Sequence, residues 1–375
     1  MTVKMVESSI GCYYRSQNKD GEYFGGPSYC MARGIAGEKG LKIGTVLAAL
    51  FGISFMFHSV SGLSVFNISD ALYASLNIPR LVTAGGFSLF LLYIIWKGVS
   101  RISKFSVKMV PFMCMIYLLA GIIIIIMHIQ NVPAVFAQIF HDAFTGTAAI
   151  GGFVGVGVMT VVRTGIARSI NSNEAGQGSS PMIHSSADTI HPIRQGMWGC
   201  TEVFVDTIIV CTVTALSILC TGAWSSGLNG AALGVEAFRL SFGQAGVLFI
   251  GLLVFLFGLT TSAGWFSYYN ALLNHAFGKN PKVYHALLTF WKILYPAASF
   301  GIVLIFVLLD ADLSLFWNFM DIITVLPVFF NVISLFFLID VFFKLFKDYK
   351  ARYLGIGEVD PNMKVFYEDT LKEKH

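Results

Sequence analysis

Charge is scarce in this chain. Only 12% of its 375 residues are Asp, Glu, Lys or Arg, where a soluble domain carries roughly 25%. That shortage excludes an ordinary water-soluble globule. Cysteine is sparse and unpatterned. Cys12, Cys30, Cys114, Cys200, Cys211 and Cys220 suggest neither a disulfide framework nor a zinc site. Enzyme signatures are missing too: there is no GxSxG elbow, no Walker loop and no HExxH pair. Gly176-Gln177-Gly178-Ser179 follows no strand, so it does not read as a phosphate cradle. No covalent chemistry and no cofactor are expected. The net charge of +4 is small and its basic residues lie in short loops, which excludes a nucleic-acid face. No cleavable signal pattern opens the chain, and no soluble domain or low-complexity segment interrupts it.

What is present is apolar length: 55% of the residues are hydrophobic. Met1–Tyr14 reads as the end of a helix, and Asp20-Gly21 and Gly25-Gly26-Pro27 as breaks. Eight segments then follow, near 41–66, 80–98, 108–129, 143–162, 196–221, 242–274, 285–309 and 320–343. Each has the roughly 20 residues that a bilayer crossing needs. The chain therefore reads as an all-α membrane protein with about eight transmembrane helices. Lys and Arg alternate strictly between the connecting loops. Twenty-two of the 25 fall on one side, Arg80 and Arg239 on the other, and Lys292 inside a span. By the positive-inside rule both termini are cytoplasmic, and the tail from Lys344 is expected to be charged and mobile.

Residues 142–195 form the most unusual stretch. Gly151, Gly152, Gly155 and Gly157 lie in the middle of an apolar segment. Each glycine costs a helix about 1 kcal/mol relative to alanine, and unwound backbone in a bilayer survives only where protein or a cavity satisfies it. A polar run follows. Arg163 and Arg168 lie near Glu174 in sequence. They either form an ion pair that closes the cytoplasmic side or stand as solvated loop charges. His184, Asp188 and His191 match no zinc spacing, and Pro192 follows directly, so no metal is expected.

Ionisable and polar residues inside spans tend to mark function. Glu202 and Asp206 sit one helical turn apart, with Asp206 roughly 15 Å beyond Gly196, near the midplane. They could form an ion or proton site, or be carboxylates bonded to neighbouring helices. Thr260, Thr261 and Ser262 could ligate a hard cation through oxygen, or bond back to their own helix. Trp265 is one turn beyond Thr261 on the same face. Ser54, His58, Ser61, Ser64 and Asn67 make a polar stripe at helical spacing that faces protein or water. Within it His58 reads more readily as a hydrogen-bonded interior residue than as a ligand.

These residues resemble one family, the alanine-or-glycine:cation symporters, or sodium:alanine symporters. The most specific stretch runs from Arg168 through Ser172-Asn173-Glu174-Ala175-Gly176-Gln177-Gly178-Ser179 to Pro181. His191-Pro192-Ile193-Arg194-Gln195-Gly196 and Val203-Phe204-Val205-Asp206-Thr207 continue it. Val110-Pro111-Phe112-Met113 and Ile139-Phe140-His141-Asp142 give further support. The likeness covers nearly the whole chain to about residue 346.

The resemblance implies a leucine-transporter-like inverted-repeat fold with solute and ion at the midplane between broken helices. It implies one transporter domain over 1–346, with a partial first repeat over 1–130, a complete second repeat over 140–346, and a cytoplasmic tail over 347–375. Compared with the family pattern, the first two spans are missing from the sequence, so the fold is expected to be N-terminally incomplete. The implied activity is inward symport of a small neutral amino acid, alanine or glycine, with sodium as the co-transported ion and no cofactor. The setting would be a bacterial plasma membrane. The alternatives are a truncated, non-transporting remnant or accessory membrane protein, and a proton-coupled carrier using Asp206 or Glu202.

By the same resemblance, Gly151, Gly152, Phe153, Thr261 and Trp265 meet the solute. So does Ser64, which stands where the family has a glutamine. Thr260 and Thr261 correspond to a sodium-ligating pair. Arg168, Asn173 and Glu174 belong to a cytoplasmic gate.

Overall fold

The computed structural model describes residues 1–18, 21–59, 62–144, 154–309 and 313–372. Among them almost everything regular is helix. The exception is a two-stranded antiparallel hairpin, β1 (Ser16–Gln17) paired with β2 (Tyr23–Phe24). α1 (Thr2–Tyr13) precedes the hairpin. α2 (Pro27–Cys30) follows it and continues into a wide π-helical stretch, Met31–Glu38.

Over the described residues the apolar segments become helices as hydropathy requires, with two changes, while 145–153 of the segment expected over 143–162 lie outside them. The segment read as one span over 41–66 is two helices, α3 (Ile43–Ser59) and α4 (Leu63–Leu76). They are separated at Gly62, whose φ of 64° lies in the left-handed region, where a side chain is strained and glycine is not. α5 (Arg80–Trp96) and α6 (Val99–Met127) follow. The stretch 129–142, expected as a loop, instead carries α7 (Val132–Phe144). α8 (Val154–Asn173) leads into the polar run, which holds the short α9 (Ser180–His184). α10 (Pro192–Val203) starts with proline at its first position and the His191 side chain accepting from the Ile193 N–H, a cap that satisfies an orphan donor. It runs through a π-helical turn, Phe204–Val210, into α11 (Cys211–Thr221). α12 (Ala231–Phe277) is kinked at Gly243, and α13 (Pro281–Leu308) and α14 (Leu313–Leu354) complete the bundle.

Among the described residues, five helical stretches are long and apolar enough to cross a membrane: Arg101–Met127, Pro192–Thr221, Ala231–Phe277, Pro281–Leu308 and Asn318–Leu354. Ile43–His58 and Arg80–Trp96 are shorter apolar helices. The most apolar windows of the five are only 17–39% buried. Large side chains such as Leu89, Phe90, Phe112 and Phe336 face outward. An outer surface this apolar suits lipid, not water.

Three buried clusters hold the bundle together. α1, α3 and α14 pack around Ile10, Phe51, Phe55 and Leu338. α4, α5, α12 and α13 pack around Phe87, Phe266 and Tyr295. α6 meets the first half of α12 around Phe238 and Val247. α1 also lies very close to α10. A Cβ on Gly196 would collide with the Ser9 hydroxyl and lie 2.7 Å from the Met5 carbonyl oxygen, so only glycine lets the two backbones approach.

The C-terminal tail is not loose. α14 continues to Leu354, and the chain then folds back to α15 (Tyr367–Lys372). Glu368 accepts from the Gln17 N–H at 2.6 Å and lies 3.8 Å from Arg33. The Arg15 guanidinium is held between the rings of Tyr23 (3.8 Å) and Phe366 (4.3 Å) and donates to the Ala187 carbonyl at 2.7 Å. Tyr367 packs against Tyr13 and Tyr14. Aromatic residues in the tail thus override the mobility suggested by its charge.

A partitioned pair of cavities

The break between α3 and α4 opens onto a small cavity of about 90 Å³. Gly62 sits there against α13; a Cβ on it would lie 3.3 Å from the Ser299 carbonyl oxygen. α3 contributes His58, α4 Ser64, and α12 Thr261, Ser262 and Trp265. A second cavity of about 430 Å³ lies beyond it, bordered by Lys4, Glu202, Asp206 and Tyr268. Asn171, Glu174, Thr261 and Trp265 line both. Those four residues are the partition between a solute-sized space and a larger one.

The partition is braced from several sides. Trp265 stacks on Phe55 with ring centroids 5.5 Å apart and lies 4.9 Å from His58 and 5.4 Å from Tyr268. Pairs of this kind add about 0.5–1.5 kcal/mol each beyond area burial. Glu174 ends α8 with a φ of 54°. Its carboxylate accepts from Ser179 Oγ at 2.5 Å and from the Tyr268 hydroxyl at 3.5 Å. Burial raises the Glu174 pKa, and the positive charge of Lys4 opposes that rise.

Lys4 is only 2% exposed, unusually low for a lysine. Its ammonium donates to the Asn173 carbonyl at 2.7 Å and lies 3.7 Å from Glu202. One turn on, Glu7 accepts from the Gly176 N–H at 3.1 Å and from Asn331 Nδ2 at 2.9 Å. Asn331 also donates to the Gly176 carbonyl at 2.9 Å. The polar run is therefore tied to α1 on one side and to α14 on the other. Burial pushes the Glu7 carboxyl up to about 7, with Lys4 pulling in the other direction.

The sequence-derived candidates distribute unevenly over this geometry. Ser64, Thr261 and Trp265, from α4 and α12, line one cavity. Gly151, Gly152 and Phe153 lie outside the described residues. Thr260 is turned away: its hydroxyl donates to Phe257 O at 2.9 Å and Leu256 O at 3.2 Å within α12, and Ser262 lines the cavity instead.

Glu202 and Asp206 border the second cavity. Asp206 accepts from Ser172 Oγ at 2.8 Å and Glu202 lies 3.3 Å from His184 Nε2. Arg168 does not pair with Glu174. It meets Asp321 on α14 at 2.6 Å, because α8 presents it to that helix while Glu174 turns inward at the helix end. Asn173 uses its side chain on the Ala175 N–H, which it accepts at 3.0 Å. His184 and His191 have separate partners, with His191 lying 3.3 Å from Asp348. Among the described residues no group of three His, Cys, Asp or Glu is placed to hold a metal.

Lys4, Glu7, Asn171 and Tyr268 were not singled out by sequence. Tyr268 carried a signal: Thr261, Trp265 and Tyr268 are spaced four and three apart, one helical face. Asn171 lies within the run that carries the family resemblance. Lys4 and Glu7 gave none, since their partners are more than 150 residues away in the chain.

Comparison with known proteins identifies a family and similar transporters. The family model described as the sodium:alanine symporter family matches residues 1–360. An uncharacterized transporter of Haemophilus influenzae is 36% identical over 358 residues, spanning 94% of this chain and 74% of its own length. The sodium/alanine symporter AgcS of Methanococcus maripaludis is 31% identical, over 86% of this chain and 68% of its own. The amino-acid carrier protein AlsT of Bacillus subtilis is also 31% identical, over 96% and 73%.

Proposed function

This chain belongs to the sodium:alanine symporter family, and from that premise we propose that it is a secondary symporter coupling sodium entry to uptake of a small neutral amino acid, alanine or glycine. Its long apolar helices and its transporter family make it a multi-pass membrane protein. We assign it the leucine-transporter-like inverted-repeat architecture with eight spans, in a bacterial plasma membrane, both termini cytoplasmic. In that arrangement 1–130 belongs to the first repeat and 140–346 to the second.

The observation behind this proposal is the meeting of Ser64, Thr261 and Trp265 at one cavity, walled from a larger one by Asn171 and Glu174. A cavity of about 90 Å³ has room for several waters, a space for a solute of a few heavy atoms. Ser64 and the backbone around Gly62 give such a solute polar contacts, and Trp265 gives it an apolar face. Thr261 supplies a hydroxyl oxygen to sodium, with Gly151, Gly152 and Phe153 as further family positions around the solute. Thr260 stands behind Thr261 and takes part through its helix. Opening the partition at Glu174 would release solute and ion into the second cavity, with Asn173 and Arg168 as the flanking parts of that gate. No covalent step is involved.

Purified protein in proteoliposomes tests this directly. Labelled alanine should accumulate under an inward sodium gradient and not when choline replaces sodium at fixed pH. Uptake no greater than in empty liposomes would refute transport, and uptake unchanged in choline would refute sodium coupling. A proton-coupled carrier is the second reading, favoured by Glu202 and Asp206 both facing the larger cavity. Uptake driven by a pH gradient alone, and abolished by Asp206→Asn, would select it.

A further inference from the structure

His58 is the one aromatic nitrogen base on the wall of the small cavity among the described residues, and its hydrogen bonds leave it an unusual surface. It is 3% exposed. Nδ1 lies 3.3 Å from Thr324 Oγ1, and Nε2 lies 2.5 Å from Gln177 Nε2. Thr324 already spends its hydroxyl proton on the Met320 carbonyl at 2.7 Å. Its oxygen is then the acceptor, so His58 carries the proton on Nδ1. In the neutral ring Nε2 is left as an acceptor, which matches the Gln177 carboxamide nitrogen facing it as donor. This hydrogen-bond assignment uses both nitrogens on protein partners. What remains for the cavity is carbon: ring face and C–H edge, beside the Trp265 indole at 4.9 Å.

We propose that His58, held by Gln177 and Thr324, is a specificity-determining residue of the solute cavity: a rigid, apolar wall that limits the solute side chain in size and offers a polar one no partner. The proposal rests on the symporter reading above. A polar solute side chain reaching this wall would lose its water and find neither donor nor acceptor, which disfavours it. A longer one meets a ring that cannot swing aside without breaking two hydrogen bonds. Because Gln177 lies in the run tied to α1 and α14, the wall is also fixed to the elements that close the partition.

The test compares wild type with His58→Ala, His58→Gln and Gln177→Leu. Labelled alanine uptake into proteoliposomes is competed by unlabelled alanine, methionine and glutamine. Amino-acid-induced thermal stabilisation of the detergent-purified proteins gives a binding measure independent of transport. In His58→Ala the preference for alanine over methionine and glutamine should fall by about tenfold, the low end of what one pocket contact commands. Gln177→Leu should shift the preference the same way by less, since it frees one side of the ring. His58→Gln, which can bond Gln177 and Thr324 but offers the cavity no ring face, should recover only part of it.

An unchanged preference in a folded His58→Ala, or a loss of maximal uptake with the preference intact, overturns the proposal. If His58→Ala does not fold, Gln177→Leu and His58→Gln decide by the same ratio. Absence of sodium-driven uptake in wild type refutes the symporter reading alone. The thermal shifts then still decide whether His58 sets the preference in binding.

Discussion

Glu7 makes a prediction that can be followed quantitatively. Its carboxyl is buried between α1, the Gly176 N–H and Asn331, and burial takes it from an ordinary value of 4.5 to about 7. The native protein therefore holds this proton more tightly than the unfolded chain. Below pH 4.5 both states are protonated and the group's contribution is fully present. As pH rises from 4.5 to about 7 the unfolded chain ionises first, so stability falls; above 7 it levels off. Across that window, with about 1.4 kcal/mol per pH unit, the gap between 4.5 and about 7 amounts to roughly 3 kcal/mol.

Glu7→Gln removes the titration. The melting temperature of the detergent-solubilised protein, followed by tryptophan fluorescence from pH 4.5 to 8, should fall by several degrees more in wild type than in Glu7→Gln, given the usual scaling of melting temperature with free energy. The comparison cancels the other titrating groups. The two proteins showing parallel pH profiles would refute the assignment of a protonated Glu7 to the native state.

Three shorter predictions concern the wall and the helix contacts. Thr261→Val keeps the shape of the side chain and removes its oxygen. The sodium concentration for half-maximal alanine uptake should rise by about tenfold, the scale of one lost polar contact, and an unchanged sodium dependence would remove Thr261 from the ion site. Gly196→Leu forces α10 away from Ser9 and the Met5 backbone and should cost about 1–3 kcal/mol as overpacking does, read as a lower melting temperature; an unaltered one would mean the helices are not this close. Arg168→Gln breaks a pair with Asp321 in which both side chains are about a third exposed. It should cost less than about 1 kcal/mol, and a large loss of stability would show the pair to be better shielded than its exposure implies.

Hydropathy made the lipid-crossing helices legible because a bilayer imposes length and composition on every span. It could not reveal the break at Gly62. Residues 41–66 read as one mostly apolar segment with a polar stripe from Ser54 to Ser64, and nothing in that pattern shows the left-handed turn of Gly62 against Ser299 of α13. Spacing along one helix placed Thr261 and Trp265 together, and only the family resemblance brought in Ser64 from another helix. Three consecutive hydroxyls look equivalent in sequence, but the helix turns each by about 100°, so that Thr261 and Ser262 line the small cavity and Thr260 does not. Lys4 gave no signal in the sequence because its place on the cavity wall depends on the Asn173 carbonyl, 169 residues away. Proximity in sequence left Arg168 and Glu174 open as either an ion pair or solvated charges; the end of α8 separates them, Arg168 meeting Asp321 and Glu174 accepting from Ser179 and Tyr268.

The strap from Leu354 to α15 has a further consequence. Arg15, gripped between Tyr23 and Phe366 while bonded to Ala187, joins three distant parts of the chain at one point. Phe366 and Tyr367 thereby register the position of α14 against α1 and the loop before α10. Spectroscopic labels across this junction provide an internal reference distance. A second pair of labels spanning the Glu174–Thr261 wall can be read against it, so that movement of the wall is distinguished from tumbling or swelling of the whole bundle.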